Sequence, residues 1–272
     1  MKPRPFDYLR PDTVEEAVAA LAEHGDGARV LAGGQSLMAM LNLRLIEPAA
    51  LIDIARIAAL AEIRETGGMI EVGAAVTQNR LMNWPGLADK LPLLSEALPF
   101  VGHFQTRNKG TACGSVAHAD PSSEIPLVLA VLGGEVVLRS RRGTRTLPAS
   151  AFQRGMLTTA REPDELLTAI RFPVQRHRRV AFREVARRHG DFAIVAVAAV
   201  AEGNRVRIGV GGVADRPATR EIAVDTDLGD AVNALAWELQ GYEDIHATAR
   251  MRRDIVRRIA PQVVEEAVRC AA

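Results

Sequence analysis

Between Gly110 and Pro126 the chain reads GTACGSVAHADPSSEIP, and this stretch sets a cysteine, a histidine, an aspartate and a glutamate among small residues. Three chemistries compete for it. Cys113 could be a nucleophile, but its thiolate needs a base, His118 or His103, that the fold must deliver; a buried inert thiol is the simpler reading. A metal on Cys113, His118 and Asp120 would have three mixed ligands and none of the paired spacing of zinc sites. The third chemistry is anion binding, in which small residues let backbone N–H groups approach a phosphate.

A second stretch favours the third. AGGQS, Ala32 to Ser36, follows a strand-like run and precedes a helix-like one. Glycine there admits both a close phosphate and positive φ. One such loop alone reads as a tight strand–helix turn; two of them, about eighty residues apart, suit a ligand with two phosphates in a crevice between sub-domains. Neither loop is G-x-G-x-x-G or a G-K-[ST] loop, so the Rossmann and Walker patterns are excluded. Asp120 and Glu124 are the acidic candidates for a sugar hydroxyl. Asp120 reads equally as a turn residue before Pro121, and Glu124 as a first-turn helix carboxylate.

The elements that must hold these loops fall into three parts. TVEEAVAALAEHG is a helix capped by Thr13, with Glu16 three residues on and Gly25 as its stop. ARVL is a short strand into Gly33-Gly34, and ALIDIARI and MIEVGAAVT are strands, the latter entered through Gly67-Gly68. Leu81 to Leu98 is helical, broken by Pro85, Pro92 and Pro99; PLVLAVLGGEVVLRS is a helix, a Gly133-Gly134 stop and a strand. Near RFPVQRHRRVAF, Pro173 and a basic cluster mark a boundary; two or three strands and a charged amphipathic tail from Asp230 to Arg269 follow. The expected divisions are 1–57, 58–173 and 174–272.

Composition narrows the setting. With 272 residues, 48% hydrophobic, 25% charged and a formal net charge of +1, the chain has room for cores of its own and no bulk electrostatic attraction to nucleic acid or anionic membranes. The N-terminal residues form no signal peptide and no segment reaches a membrane span, which gives a cytoplasmic expectation. Two cysteines, Cys113 and Cys270, are too few for a disulfide framework, a structural zinc or an iron–sulfur cluster. Any redox metal belongs to another chain.

Read in order, AGGQSLMAMLNLRL, TRNKGTACGSVAHADPSSEIP, LLTAIRFP and FREVARRHGDFAIVAVAA resemble the FAD-binding medium subunit of molybdenum hydroxylases, the carbon monoxide dehydrogenase medium-chain and xanthine dehydrogenase flavin-domain family. The resemblance spans essentially the whole chain. It implies an α+β fold: a vanillyl-alcohol-oxidase (PCMH)-type FAD-binding domain of two sub-domains, and a small C-terminal α+β domain with a three-stranded sheet and helices. It implies FAD here, and molybdopterin and two [2Fe–2S] clusters in a large and a small partner subunit, assembled as a dimer of heterotrimers. Electrons would pass from the clusters through FAD to an external acceptor.

Carried over, the first FAD loop falls on Ala32, Gly33, Gly34, Gln35, Ser36 and Leu37, and the second on Thr111, Ala112, Cys113, Gly114 and Ser115. The acidic contacts fall on Asp120 and Glu124, a backbone contact near the adenine on Leu167, a basic residue near the flavin on Arg183, and a ring against the isoalloxazine on Phe192, which otherwise reads as strand core. The resemblance assigns no catalytic residue and no metal to this chain. One departure stands out: Cys113 occupies a position that is glycine in the family's usual T-x-G-G-[NS] loop. A side chain there requires negative φ and a Cβ turned from the phosphates, or else a displaced cofactor. The other functional readings are a stand-alone FAD oxidase using His103 or His118 as a base, and a flavin-free scaffold with a lost FAD loop.

Overall fold

The structure, a computed structural model, describes residues 2–175, 179–224 and 226–269. Its first sheet is built from β1 (Asp7–Leu9), α1 (Val14–His24), β2 (Ala28–Leu31), α2 (Leu37–Asn42) and β3 (Ala50–Asp53). The three strands lie in the order β1-β3-β2, all parallel. α1 starts where the sequence places it. Thr13 Oγ1 accepts from Glu16 N at 3.2 Å while Glu16 Oε2 accepts from Asp12 N at 2.8 Å, so each residue satisfies a donor near the other. Gly25, at φ +50°, ends it, and Ala17, Val18 and Leu21 form its buried stripe.

The second unit carries β4 (Ile63–Thr66), β5 (Met69–Gly73), α3 (Gln78–Met82), α4 (Leu87–Lys90), α5 (Pro92–Ala97), α6 (Phe104–Lys109), α7 (Ala112–His118), α8 (Glu124–Val131), β6 (Glu135–Ser140), β7 (Gly143–Pro148), α9 (Ala149–Phe152), β8 (Gln153–Gly155), β9 (Thr158–Thr159) and β10 (Leu166–Pro173). Its antiparallel sheet has the order β4-β5-β10-β6-β7, and β8 and β9 form a separate hairpin. β4 went unnoticed in the sequence; its residues are mostly exposed, so it lacks the apolar run that marks a strand. Gly67 (φ +58°) and Gly68 (φ +77°) turn it into β5, the pair of positive φ angles that a two-residue hairpin turn needs.

The third unit is an antiparallel meander of four strands, β11 (Arg179–Val185), β12 (Val195–Glu202), β13 (Arg205–Gly211) and β14 (Ala218–Ala223), followed by α10 (Leu228–Glu238) and α11 (Ala249–Arg269). The expected sheet of three strands is thus corrected to four. β14 is an edge strand whose alternating polar residues, ATREIA, hide its register.

This sheet is covered on both sides, and side-chain alternation decides which residues face where. Val180, Phe182, Ala196, Ala198 and Val200 pack into the large core formed with the first two units. Ala181, Val195, Val197, Ala199 and Ala201 pack under α10 and α11. On the first face, α8 rests on glycine: a Cβ at Gly209 would stand 2.2 Å from Val131 Cγ2.

Candidate functional site

The two glycine loops, distant in sequence, meet. A Cβ built on Gly33 would lie 2.3 Å from the Lys109 carbonyl oxygen and 2.6 Å from Gly110 Cα, so the first loop packs directly on the backbone entering the second. Gly34 takes φ +71°, and its carbonyl accepts from Met38 N at 3.0 Å to open α2. The Gln35 amide folds back on Gly33 O at 3.1 Å. Ala32 is half-buried, Ser36 caps α2 without a side-chain bond among the described residues, and Leu37 is the first residue of that helix. Gly110 to Ala112 is pinned to the chain before α3 through Gln78 N→Gly110 O (2.8 Å) and Ala112 N→Val76 O (3.2 Å).

The second loop is not the free turn that its small residues suggest. Thr111 is the N-cap of α7, its Oγ1 accepting from Gly114 N at 2.9 Å, and Ala112 to Ser115 are already helical. Gly114 is small for the cap's sake, since a Cβ there would sit 2.8 Å from Thr111 Oγ1. Cys113 meets the condition set by its departure from the family pattern. It does not take a positive φ, its side chain is buried in the main core, and Sγ donates to Val72 O at 3.3 Å. Burial pushes the thiol far above its ordinary pKa, which makes it an inert core group. No group of three potential metal-ligating side chains occurs among the described residues.

Beyond α7 the chain turns sharply. Ala119 ends the helix at φ +54°, its carbonyl accepting from Leu157 N (3.0 Å) at the tip of the β8–β9 hairpin, where Leu157 is itself at φ +53°. Asp120 Oδ1 accepts from Ser122 N at 2.8 Å, as the turn reading expects. Glu124 opens α8 and is buried; burial, opposed by its own backbone N–H and reinforced by the Asp120 charge, pushes its carboxyl up to about 7. Glu184 is on β11, on the face that alternation turns toward the large core. Burial and then the charge of Glu124 push it up to about 8, and its Oε2 is enclosed without a hydrogen-bond partner among the described residues.

The remaining candidates divide. Phe192 is not strand core: it lies in the loop before β12 and is 64% exposed, a large bare ring. That loop reaches the second unit, because a Cβ at Gly190 would stand 2.7 Å from the His103 ring. Leu167 is buried on β10, the strand on which α7 packs, beside a bulge between Leu167 and Ala169. Arg183 is placed differently from the expectation. It points to α11, where Nη2 pairs with Glu266 at 2.9 Å and Nη1 with Gln262 at 2.9 Å, on the opposite face of β11 from Glu184. The structure therefore joins the two glycine loops to each other, links the second through α7 to the 119–124 turn, sets Glu184 within electrostatic reach of Glu124, and leaves Arg183 on the other side of the sheet.

Residues 4–175 match the family described as the FAD binding domain in molybdopterin dehydrogenase. The chain belongs to this family. Of the chains similar to this member of the molybdopterin dehydrogenase FAD-binding family, the 6-hydroxypseudooxynicotine dehydrogenase complex subunit alpha of Paenarthrobacter nicotinovorans is 35% identical over 98% of this chain and 96% of its own. A solved carbon monoxide dehydrogenase from Hydrogenophaga pseudoflava superposes with a TM-score of 0.91 at 32% identity, covering 98% of this chain and 99% of the other. Quinoline 2-oxidoreductase from Pseudomonas putida 86 superposes with a TM-score of 0.89 at 33% identity, covering 100% and 99%.

Three polar residues with buried side-chain atoms carry no singled-out reading in the sequence. Gln78 is buried beside Gly110 with Oε1 unpaired among the described residues, Glu184 is enclosed opposite α8, and Arg252 lies fully buried beneath β12. Glu184 had a signal, since strand alternation sets it apart from Arg183; for Gln78 and Arg252 the sequence carries none, because each acquires its setting from distant elements.

No helix among the described residues is long and apolar enough to cross a membrane.

Proposed function

We propose that this chain is the FAD-binding electron-transfer subunit of a molybdenum-containing hydroxylase or dehydrogenase complex, and that its two glycine loops and acidic turn are the cofactor's seat. The observation that carries the reading is the packing of Gly33 on Lys109–Gly110, which joins both loops into one small-residue surface within the span matched to the FAD-binding family. The residues fit FAD. Gly34 takes a positive φ with no side chain, the start of α7 carries only small side chains and is capped by Thr111, and Cys113 is turned into the core. Held there, FAD would supply the redox chemistry, storing up to two electrons between a one-electron donor and an external acceptor.

The chain's own part is binding and placement. Residues 32–37 would present backbone N–H groups to the pyrophosphate and residues 111–115 would line it with the small-residue start of α7, whose Ala112, Gly114 and Ser115 N–H groups already donate within the protein; Glu124 would accept from a sugar hydroxyl with Asp120 holding its turn, and Leu167 would supply backbone near the adenine. Phe192 offers a ring face to the isoalloxazine. Arg183, paired to α11, supports the sheet from behind. The fold is read as PCMH-type, with sub-domains at 1–57 and 58–173 and a C-terminal domain at 174–272. A large molybdopterin subunit and a small [2Fe–2S] subunit complete a heterotrimer, doubled by two-fold symmetry, in the cytoplasm.

The test is purification with and without the neighbouring subunits. Flavin absorbance in this chain, with molybdenum and iron only in the complex, is expected. Substrate oxidation by the isolated chain at the complex's rate would replace the relay reading with a stand-alone oxidase.

A further inference from the structure

Arg252, in the first turn of α11, has 1% of its surface exposed. A cation so buried is costly unless it is hydrogen-bonded; here both terminal nitrogens find acceptors, while Nε has no partner among the described residues. Its Nη1 donates to Ile194 O and to Gly212 O, each at 2.6 Å, its Nη2 donates to Asp244 Oδ2 at 2.6 Å, and its guanidinium lies 4.1 Å from the Tyr242 ring centre. The two carbonyls belong to different parts of the sheet. Ile194 leads into β12, and Gly212 follows β13.

Both carbonyls connect onward to the proposed seat. Gly212 N donates to Pro121 O at 2.7 Å, so this one residue is held by Arg252 through its carbonyl and holds the Asp120–Glu124 turn through its N–H. Its φ of +77° and the 2.7 Å between its Cβ position and Ile194 O leave no space for another side chain. Ile194 N donates to Val185 O at 2.8 Å, which closes the base of the loop bearing Phe192, two residues before Ile194. At the tip of that loop, Asp191 is held by Arg188 at 3.1 Å, and Gly190 abuts His103.

We infer that Arg252 is a positioning residue for the cofactor, fixing the Phe192 loop and the Asp120–Glu124 turn as one unit from the far side of the sheet. The inference rests on the FAD seat proposed above. A guanidinium suits the task because its planar fork serves two carbonyls and a carboxylate at once, which an ammonium cannot reproduce with the same geometry.

The experiment is a double-mutant cycle on the purified FAD-loaded protein, with whatever subunits accompany it, reading FAD dissociation and the visible circular dichroism of the bound flavin. Arg252→Lys is expected to weaken FAD binding roughly tenfold, the scale of a lost charge-assisted hydrogen bond, and to alter the visible spectrum as Phe192→Leu does. The double variant is expected to be no weaker than the weaker single one. Val263→Ala, in the same helix and buried in the same layer, is expected to lower the melting temperature and leave the flavin spectrum unchanged.

Effects of Arg252→Lys and Phe192→Leu that multiply, or a wild-type spectrum in Arg252→Lys, overturn the inference while the FAD seat stands. A Phe192→Leu protein with unaltered FAD binding and spectrum overturns the seat beside Phe192, and the inference with it. Should Arg252→Lys fail to fold, Asp244→Asn, at a partly exposed carboxylate whose Oδ2 accepts from Arg252 and whose Oδ1, retained as the amide oxygen, accepts from His246 N and Ala247 N, must produce the same spectral change or the inference fails.

Discussion

Gly33 and Lys109 are in backbone contact: the Cα hydrogen of one faces the carbonyl of the other across a gap that a Cβ would reduce to 2.3 Å. The glycine is therefore fixed by the neighbouring loop as much as by any ligand. Gly33→Ala must push the two loops apart, an overpacking cost of about 1–3 kcal/mol. A reduced flavin-to-protein ratio and a lower melting temperature are expected. Full flavin with an unshifted melt would show that the loops do not act together.

Cys113 is expected to be chemically silent. With Cys270 replaced by serine, an aromatic disulfide reagent should label Cys113 only after denaturant is added, because the thiol is buried and donates to Val72 O. Cys113→Gly removes a packed side chain, and a loss of about 1–2 kcal/mol is expected by analogy with other core truncations, with FAD retained. Rapid labelling of the folded protein would contradict the placement.

The Glu124 and Glu184 carboxyls make stability depend on pH. Both are raised in the folded state, to about 7 and about 8, above an unfolded carboxyl. The folded protein thus binds more protons than the unfolded chain, and stability declines as pH rises from about 4.5 through 8. Urea titrations of the FAD-free protein should show this fall, and Glu184→Gln should flatten its upper part. A pH slope identical in wild type and variant would refute the assignment.

Arg183→Ala separates the expectation drawn from sequence from the arrangement in the structure. The Arg183–Glu266 pair is half-exposed, so its loss is expected to cost under about 1 kcal/mol and to leave FAD dissociation unchanged. FAD release accelerated tenfold or more would place a cationic contact at the flavin after all.

The loops were legible in the sequence because glycine clusters between apolar runs are local signals, and α1 was legible to its caps. Local signals end there. The GTACGS segment looked like a turn because its small residues are equally consistent with a helix start, and only the Thr111 cap and the pairing to Val76 and Gln78 decide it. Arg183 and Glu184 are adjacent in the chain and opposite in space; the strand and both helices have local patterns, but which face of β11 packs toward α8 and which toward α11 is set by tertiary contacts that no local pattern carries. Phe192 was legible as an aromatic and not as an exposed one, because FAIVAVAAV reads as strand from its first residue while β12 begins only at Val195.

The bare strand under α8 limits how the two layers can move. With Val131 and Leu127 set into the places that side chains of Gly209 and Gly211 would occupy, α8 cannot slide along β13 without striking a neighbour that does carry one. The seam between the layers has one register. Glu124 at the head of that helix is consequently carried to the side of Glu184 by a helix whose register the glycines fix.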